Sequence, residues 1–203
     1  ALINDFGAGL FYAAPYDANA VETVTTTYNA VNYRQAIGKW RINSNAYWRY
    51  NHDDYIYLKD NPSFYRNNHF GNSAGAELHF NRTFANNHII GGGYEFRNEM
   101  IRSNNLGSFD RSYHALYVDY RMYLKNSMIL TAGVNTQYNT DYGWKMYPGV
   151  EFSGELYRGI RGFVNAGLSN RLPSYTDLYY DGPSNIGNAD LQPENAYHVE
   201  GGF

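Results

Sequence analysis

Apolar and polar side chains alternate along this chain with a period of two. In 40–52 the even positions are Trp40, Ile42, Ser44, Ala46, Trp48 and Tyr50, and the odd ones are Arg41, Asn43, Asn45, Tyr47, Arg49 and Asn51. Successive side chains of a strand point to opposite faces, so this segment is a ribbon with one apolar and one polar face. The pattern recurs. Ala74, Ala76, Leu78 and Phe80 oppose Glu77, His79 and Asn81; Ile90, Tyr94 and Phe96 oppose Glu95 and Arg97; Leu116, Val118, Tyr120, Met122 and Leu124 oppose Tyr117, Asp119, Arg121 and Tyr123. Leu130, Ala132 and Val134 oppose Thr131, Asn135 and Gln137, and Val150, Phe152 and Leu156 oppose Glu151, Ser153 and Glu155. In 161–171 the alternation is less clean, because Phe163 falls on the polar side. The periodicity predicts about nine strands, over 22–35, 40–52, 72–84, 88–100, 111–125, 128–139, 146–156, 161–171 and 196–203.

The connections between them are predicted to alternate. Short turns are expected at 36–39, 85–87, 126–127 and 157–160, and long Tyr/Asn-rich loops at 53–71, 101–110, 140–145 and 172–195, with 1–21 as the tail of another. A soluble sandwich accounts for two-faced strands if the apolar faces point inward. It gives no reason for segregated loop lengths, whereas a membrane barrel has tight periplasmic turns and long extracellular loops. The strands are also longer than the usual 5–6 residues. Aromatic residues gather near both strand ends: Tyr33, Trp40, Phe80, Phe84 and Tyr123 by the short turns, Trp48, Tyr50 and Phe96 at the far side. Two such bands are the expected girdles at the membrane surfaces. The predicted fold class is therefore all-β, an antiparallel transmembrane β-barrel lying in the lipid bilayer. An odd strand count does not close an ordinary bacterial barrel, so either the count is off by one or strands are missing; the abrupt start favours missing strands, and residues 1–203 read as one partial barrel domain. Arg41, Arg49, Glu77, Glu95, Arg97, Asp119, Arg121, Glu151 and Glu155 form the predicted inward set.

Composition sharpens this reading. Aromatics make up 18% of the 203 residues, with 22 Tyr, and Tyr and Trp favour membrane–water interfaces. There is no Cys, which removes disulfide frameworks and thiolate metal sites. The net charge of −3 and the absence of a basic stripe give no footprint for nucleic acid. The six His are scattered, at 52, 69, 79, 88, 114 and 198, and no catalytic constellation emerges, so no enzyme is expected. Gly91–Gly93 falls within a strand, where glycine relieves crowding.

The C-terminal third carries a motif. Arg-Leu-Pro-Ser-Tyr-Thr-Asp-Leu-Tyr-Tyr at 171–180 is followed by Ile-Gly-Asn-Ala-Asp-Leu-Gln-Pro-Glu at 186–194 and Glu200-Gly201-Gly202. This resembles the barrel signature of TonB-dependent outer-membrane receptors, approximately R-x-P-(S/T)-x-x-(D/E)-L-(Y/F), then G-N-(P/A)-x-L-x-P-E, then E-x-G. Asn61-Pro62-Ser63, Tyr147-Pro148-Gly149-Val150 and Asp5-Phe6-Gly7-Ala8 with Phe11-Tyr12 are similar to vitamin B12 (cobalamin) receptors of the Bacteroidetes type. The resemblance implies a ~22-strand barrel with an N-terminal plug, absent from this chain, that contacts the TonB complex. It implies uptake of cobalamin or a related corrinoid, handed over by a surface lipoprotein. A siderophore or haem receptor and a passive porin-like barrel are the alternatives.

A corrinoid offers apolar edges and many amides. Tyr55, Tyr57, Phe64, Tyr65, Trp144, Tyr179, Tyr180 and Asn185 in the outer loops match both, and are the expected substrate contacts. Asp53 and Asp54, read as the root of a long loop, offer hard oxygen ligands for Ca²⁺. The motif residues Arg171, Pro173, Asp177, Pro193 and Glu194 are expected to serve turn geometry and packing against the plug more than direct binding.

Overall fold

Strand propagation, not loop length, dominates the architecture. The computed structural model describes residues 2–7, 19–84, 87–125, 127–182 and 185–203. Within them the chain forms one antiparallel sheet in strict sequence order. Its strands are β1 (Leu2–Gly7), β2 (Val21–Ile37), β3 (Trp40–Ile56), β4 (Arg66–Phe84), β5 (His88–Ser103), β6 (Gly107–Tyr123), β7 (Ile129–Asn139), β8 (Gly143–Tyr157), β9 (Ile160–Arg171) and β10 (Glu194–Gly202). A short helix, α1 (Tyr175–Tyr179), lies between β9 and β10. The sheet does not close: β1 and β10 are its edges.

The strand count is ten rather than nine. The additional strand is β1, which pairs with β2 from Leu2↔Thr26 to Gly7↔Val21 inside the segment read as a loop tail. It is short, and Leu-Ile-Asn-Asp-Phe-Gly has no clean alternation. The expected long loops at 53–71, 101–110 and 140–145 contract to 57–65, 104–106 and 140–142, because the flanking strands run on. The connection 172–193 stays long. Of the resemblance outside the motif, Ala8, Phe11 and Tyr12 lie outside the described residues, as do 85–86 of one expected turn and Asn126 of another.

Pairing register fixes the two faces. One lateral row runs from Ala46 through Ala76, Phe96, His114 and Tyr138 to Trp144. Alternation then places every residue of the inward set on the opposite face. Among the described residues nothing covers the apolar face: Val31 is 73% exposed, Leu116 56% and Val199 79%. An apolar surface of that extent is not left to water by a soluble domain and fits a sheet that faces lipid. Ten residue steps separate Trp40 from Tyr50 on β3; at about 3.3 Å per residue and a tilt of about 40° they span ~25 Å, the height of a barrel's lipid-facing band. Tyr123 departs from the girdle reading, since its pairing with Ile129 puts it on the polar face.

On that polar face the wall is knitted by charge and by glycine. Glu99 takes Arg97 at 3.2 Å and Arg111 at 2.9 Å, and His79 bonds both Glu77 and the Tyr117 hydroxyl. A Cβ at Gly91 would lie 2.4 Å from the Asp119 carboxylate, and one at Gly93 would lie 2.5 Å from the Leu78 carbonyl oxygen. The glycine tract thus lets Asp119 and Tyr117 lie flat across β5.

Candidate functional site

The loop 172–193 is built by its own sequence before it meets the wall. Ser174 caps α1: its Oγ accepts from the Asp177 amide at 3.1 Å, and the Asp177 carboxylate accepts from the Ser174 amide at 2.9 Å. This reciprocal capping box satisfies two amides that the helix start leaves unpaired. The Asp177 carboxyl sits below the usual carboxylate range, held there first by its bonds from Ser174 and then by Arg171. Arg171 reaches Asp177 at 3.2 Å and Glu194 at 3.6 Å, tying the end of β9 to the start of β10. The chain then folds back on α1. Gly187 donates to the Tyr180 carbonyl at 2.6 Å and Asn188 to the Asp177 carbonyl at 2.9 Å. A Cβ at Gly187 would lie 2.7 Å from the Leu178 backbone, so this approach requires glycine.

The folded loop docks on the polar face. Arg111, buried at 8% exposure, donates to the Pro173 carbonyl at 2.9 Å and to Glu99 at 2.9 Å, and lies 4.8 Å over the Tyr175 ring. Burial pushes the Tyr175 phenol up to about 12, opposed by Arg111. Tyr179 stacks on Phe109 with centroids 3.8 Å apart. Asn105 exchanges bonds with the backbone of Asp181 at 2.7 and 3.2 Å. The Tyr65 and Tyr180 hydroxyls meet at 3.0 Å, and this bond, ahead of burial, raises the Tyr180 phenol. A loop leaving β9 that touches β5, β6 and the β3–β4 connection on one face requires the sheet to curve with the polar face concave.

Between this loop and the wall lies a cavity of about 1220 Å³. Of the expected substrate residues, Tyr55, Tyr57, Phe64, Tyr65, Tyr180 and Asn185 line it together. Phe64 stacks on Tyr57 at 6.1 Å and is 64% exposed at its mouth. Two of the expected residues lie elsewhere. Trp144 lies within β8 on the outward face, beside Tyr138 with ring centroids 5.2 Å apart, so it belongs to the girdle. Tyr179 turns away onto Phe109 and serves as an anchor. The Asp53–Asp54 pair also changes meaning. Both residues are inside β3 rather than at a loop root, so their side chains point to opposite faces. Asp53 lines the cavity, while Asp54 is held by Arg66 through bonds of 2.6 and 2.7 Å. They do not converge on one ion, and among the described residues no His/Asp/Glu group is arranged to hold a metal.

The cavity wall carries the carboxylates Glu22, Asp53, Asp177 and Glu194 against Arg171 and His69. The balance is acidic, and Arg171 is already shared between two of those acids.

The sequence model of the TonB dependent receptor-like β-barrel matches residues 3–203. The chain belongs to the TonB-dependent receptor β-barrel family. Members are outer-membrane proteins, transport receptors rather than enzymes. Among solved structures the chain is similar to the siderophore receptor PirA from Pseudomonas aeruginosa, at 15% identity, with a TM-score of 0.73 over 89% of this chain and 36% of that one. It is similar to the Serratia marcescens hemophore receptor HasR, solved as a double mutant with its hemophore HasA and heme, at 15% identity, with a TM-score of 0.74 over 90% of this chain and 36% of that one. The copper transporter OprC follows at 9% identity, with a TM-score of 0.71 over 89% and 36%. The chain thus spans about a third of these receptors' length, and at these identities the likeness establishes the fold. No curated protein matches it in sequence.

Within the family frame, the signature residues gain a concrete role here. Arg171, Ser174, Asp177, Gly187, Asn188 and Glu194 fold the β9–β10 loop, as the turn-shaping expectation for the motif requires. They also place Arg171, Asp177 and Glu194 in the cavity wall, which that expectation omitted. Glu22, Asn67 and His69 were missed as well. Each sits on the polar side of a strand, but their shared cavity depends on the neighbouring register Glu22↔Tyr55↔Asn67, a long-range fact.

Proposed function

We propose that the chain forms the ligand-facing wall of a TonB-coupled uptake receptor for a large, scarce, non-anionic nutrient, with cobalamin or a related corrinoid as the substrate class. The observation that carries this reading is the convergence of Tyr55, Tyr57, Phe64, Tyr65, Tyr180 and Asn185 on one cavity of about 1220 Å³, which exceeds the 300–1,000 Å³ typical of drug-sized ligands. Aromatic faces suit the corrin edge, and phenol and amide groups suit its peripheral amides. The acidic wall disfavours ligands rich in carboxylates, such as haem or a polycarboxylate siderophore. Energy reaches the barrel from the inner membrane through TonB and the plug. A surface lipoprotein delivers the ligand to the mouth, where Phe64 is exposed.

Calorimetry on the full-length receptor in detergent tests the substrate class. Saturable cyanocobalamin binding is expected, with haem and a ferric polycarboxylate siderophore bound weakly or not at all. Binding of either of those with no response to cyanocobalamin overturns the corrinoid assignment and leaves the family assignment standing.

A further inference from the structure

A second concavity, of about 680 Å³, lies on the opposite, outward face, and nothing in the uptake reading uses it. Tyr50, Phe70 and Met100 form an apolar floor, and Asn72, Arg102 and Ser108 line it above and beside them. Register ties these residues together. One row runs Tyr50↔Asn72↔Met100, and the next row toward the long-loop end runs His52↔Phe70↔Arg102↔Ser108. The groove therefore begins where the apolar band ends at Tyr50 and continues outward by one residue pair.

Its chemistry changes along that direction. Met100 is 45% exposed and Phe70 37%, with the Phe70 ring stacked on His52 at 4.2 Å. Arg102, next along β5, is exposed and makes no ion pair or side-chain hydrogen bond among the described residues. The carboxylates on this face of the neighbouring strands are engaged elsewhere: Asp54 by Arg66 and Asp110 by Asn98. An apolar slot opening on the hydrocarbon layer and ending at an uncommitted guanidinium matches an amphiphile with acyl chains below and an anion above. Arg in particular presents a planar fork suited to phosphate oxygens.

We infer that this outward groove on β3–β6 seats a phosphorylated, acylated lipid of the outer leaflet, with acyl chain against Tyr50, Phe70 and Met100 and phosphate on Arg102. The inference rests on the membrane-spanning reading of the sheet and is independent of which ligand occupies the lumen. The groove is continuous with the lipid-facing surface, so its occupant needs no route through water.

The test uses the full-length receptor in detergent, titrated with bisphosphorylated lipid A and followed by native mass spectrometry. One saturable lipid per receptor is expected. Arg102→Gln should weaken it about 10-fold, the scale of a lost charge-assisted bond, and Met100→Gln should weaken it as well. Arg82→Gln, on the same face but at the short-turn end against Trp40, should leave it unchanged. Equal lipid retention by wild type and Arg102→Gln would show only annular lipid and overturn the site. Displacement of lipid A by millimolar inorganic phosphate would show a simple anion site and overturn it too. Folding of each variant is checked by its heat-dependent gel shift, and Arg102→Lys, which keeps the charge but loses the fork, should give an intermediate affinity.

Discussion

The hydroxyls of Tyr65 and Tyr180 lie 3.0 Å apart although 115 positions separate them in the chain. One belongs to the short connection between β3 and β4, the other to the loop that leaves β9. Their contact closes one side of the cavity, with Asn67 donating to the Tyr65 hydroxyl from the wall at 3.3 Å. Replacing either by Phe removes the bond but keeps the ring, at a cost of about 1 kcal/mol. Hydrogen exchange in 172–193 should rise several-fold in each variant, and the double variant should be no worse than Tyr65→Phe, which alone also gives up the Asn67 bond. The Tyr180 phenol is raised by this bond, so its contribution is full below the ordinary tyrosine range near pH 10 and fades as pH climbs through the raised value. Exchange from pH 8 to 11, corrected for intrinsic rates, should show that loss in wild type and a smaller one in Tyr180→Phe, which keeps the Tyr175 phenol raised by burial.

Arg111 is the loop's anchor to β6. Arg111→Gln withdraws a buried cation from Glu99 and from the Pro173 carbonyl. Breaking one side of a fully buried pair costs roughly 3–5 kcal/mol; the loss here is smaller, because Glu99 is half-buried and still faces Arg97. The expected result is a loop that exchanges freely on a sheet that remains folded. Loss of the heat-dependent gel shift would show instead that Arg111 holds the sheet itself.

The capping box of α1 makes an acid prediction with a definite sign. Asp177 has a depressed folded-state value, so its contribution is present above the ordinary carboxylate range near pH 4 and is lost as pH falls through the depressed value. Ser174→Ala should cost about 1 kcal/mol and expose 174–180 to exchange at neutral pH. Asp177→Asn should abolish the acid-dependent step seen in wild type.

Much of the sheet was legible because lipid imposes a one-sided apolar face, and the legibility stopped where lipid stops. On β3 the apolar positions end at Tyr50, yet pairing continues through His52, Asp53 and Asp54 to Ile56. Outside the bilayer the outward face no longer has to be apolar, so alternation vanishes while backbone pairing persists. That is why Asp53 and Asp54 read as a loop root, and why Trp144, inside the expected loop 140–145 but within β8 of the structure, read as a binding residue. Tyr55, Tyr57, Tyr65 and Tyr180 were recoverable from residue chemistry alone. Their assembly with Glu22, Asn67 and His69 was not, because it depends on strand register and on a loop that returns across the concave face.

The glycine tract of β5 separates close packing from simple turn chemistry. Gly93→Ala drives a Cβ to 2.5 Å from the Leu78 carbonyl oxygen and against the Tyr117 ring, and overpacking of this kind costs about 1–3 kcal/mol. Gly149→Ala meets nothing closer than 3.7 Å and should be tolerated. Refolding yield into detergent should fall for the first variant and match wild type for the second.

The most direct measurement is cyanocobalamin affinity of the full-length receptor carrying Tyr55→Ala, Tyr180→Ala or Trp144→Ala. The expected result is a loss of about 10-fold for each cavity tyrosine, the scale of one well-packed aromatic contact, with no change for Trp144→Ala on the outward face. Unchanged affinity in both tyrosine variants, or a loss confined to Trp144→Ala, would contradict the placement of the ligand between the 172–193 loop and the concave wall.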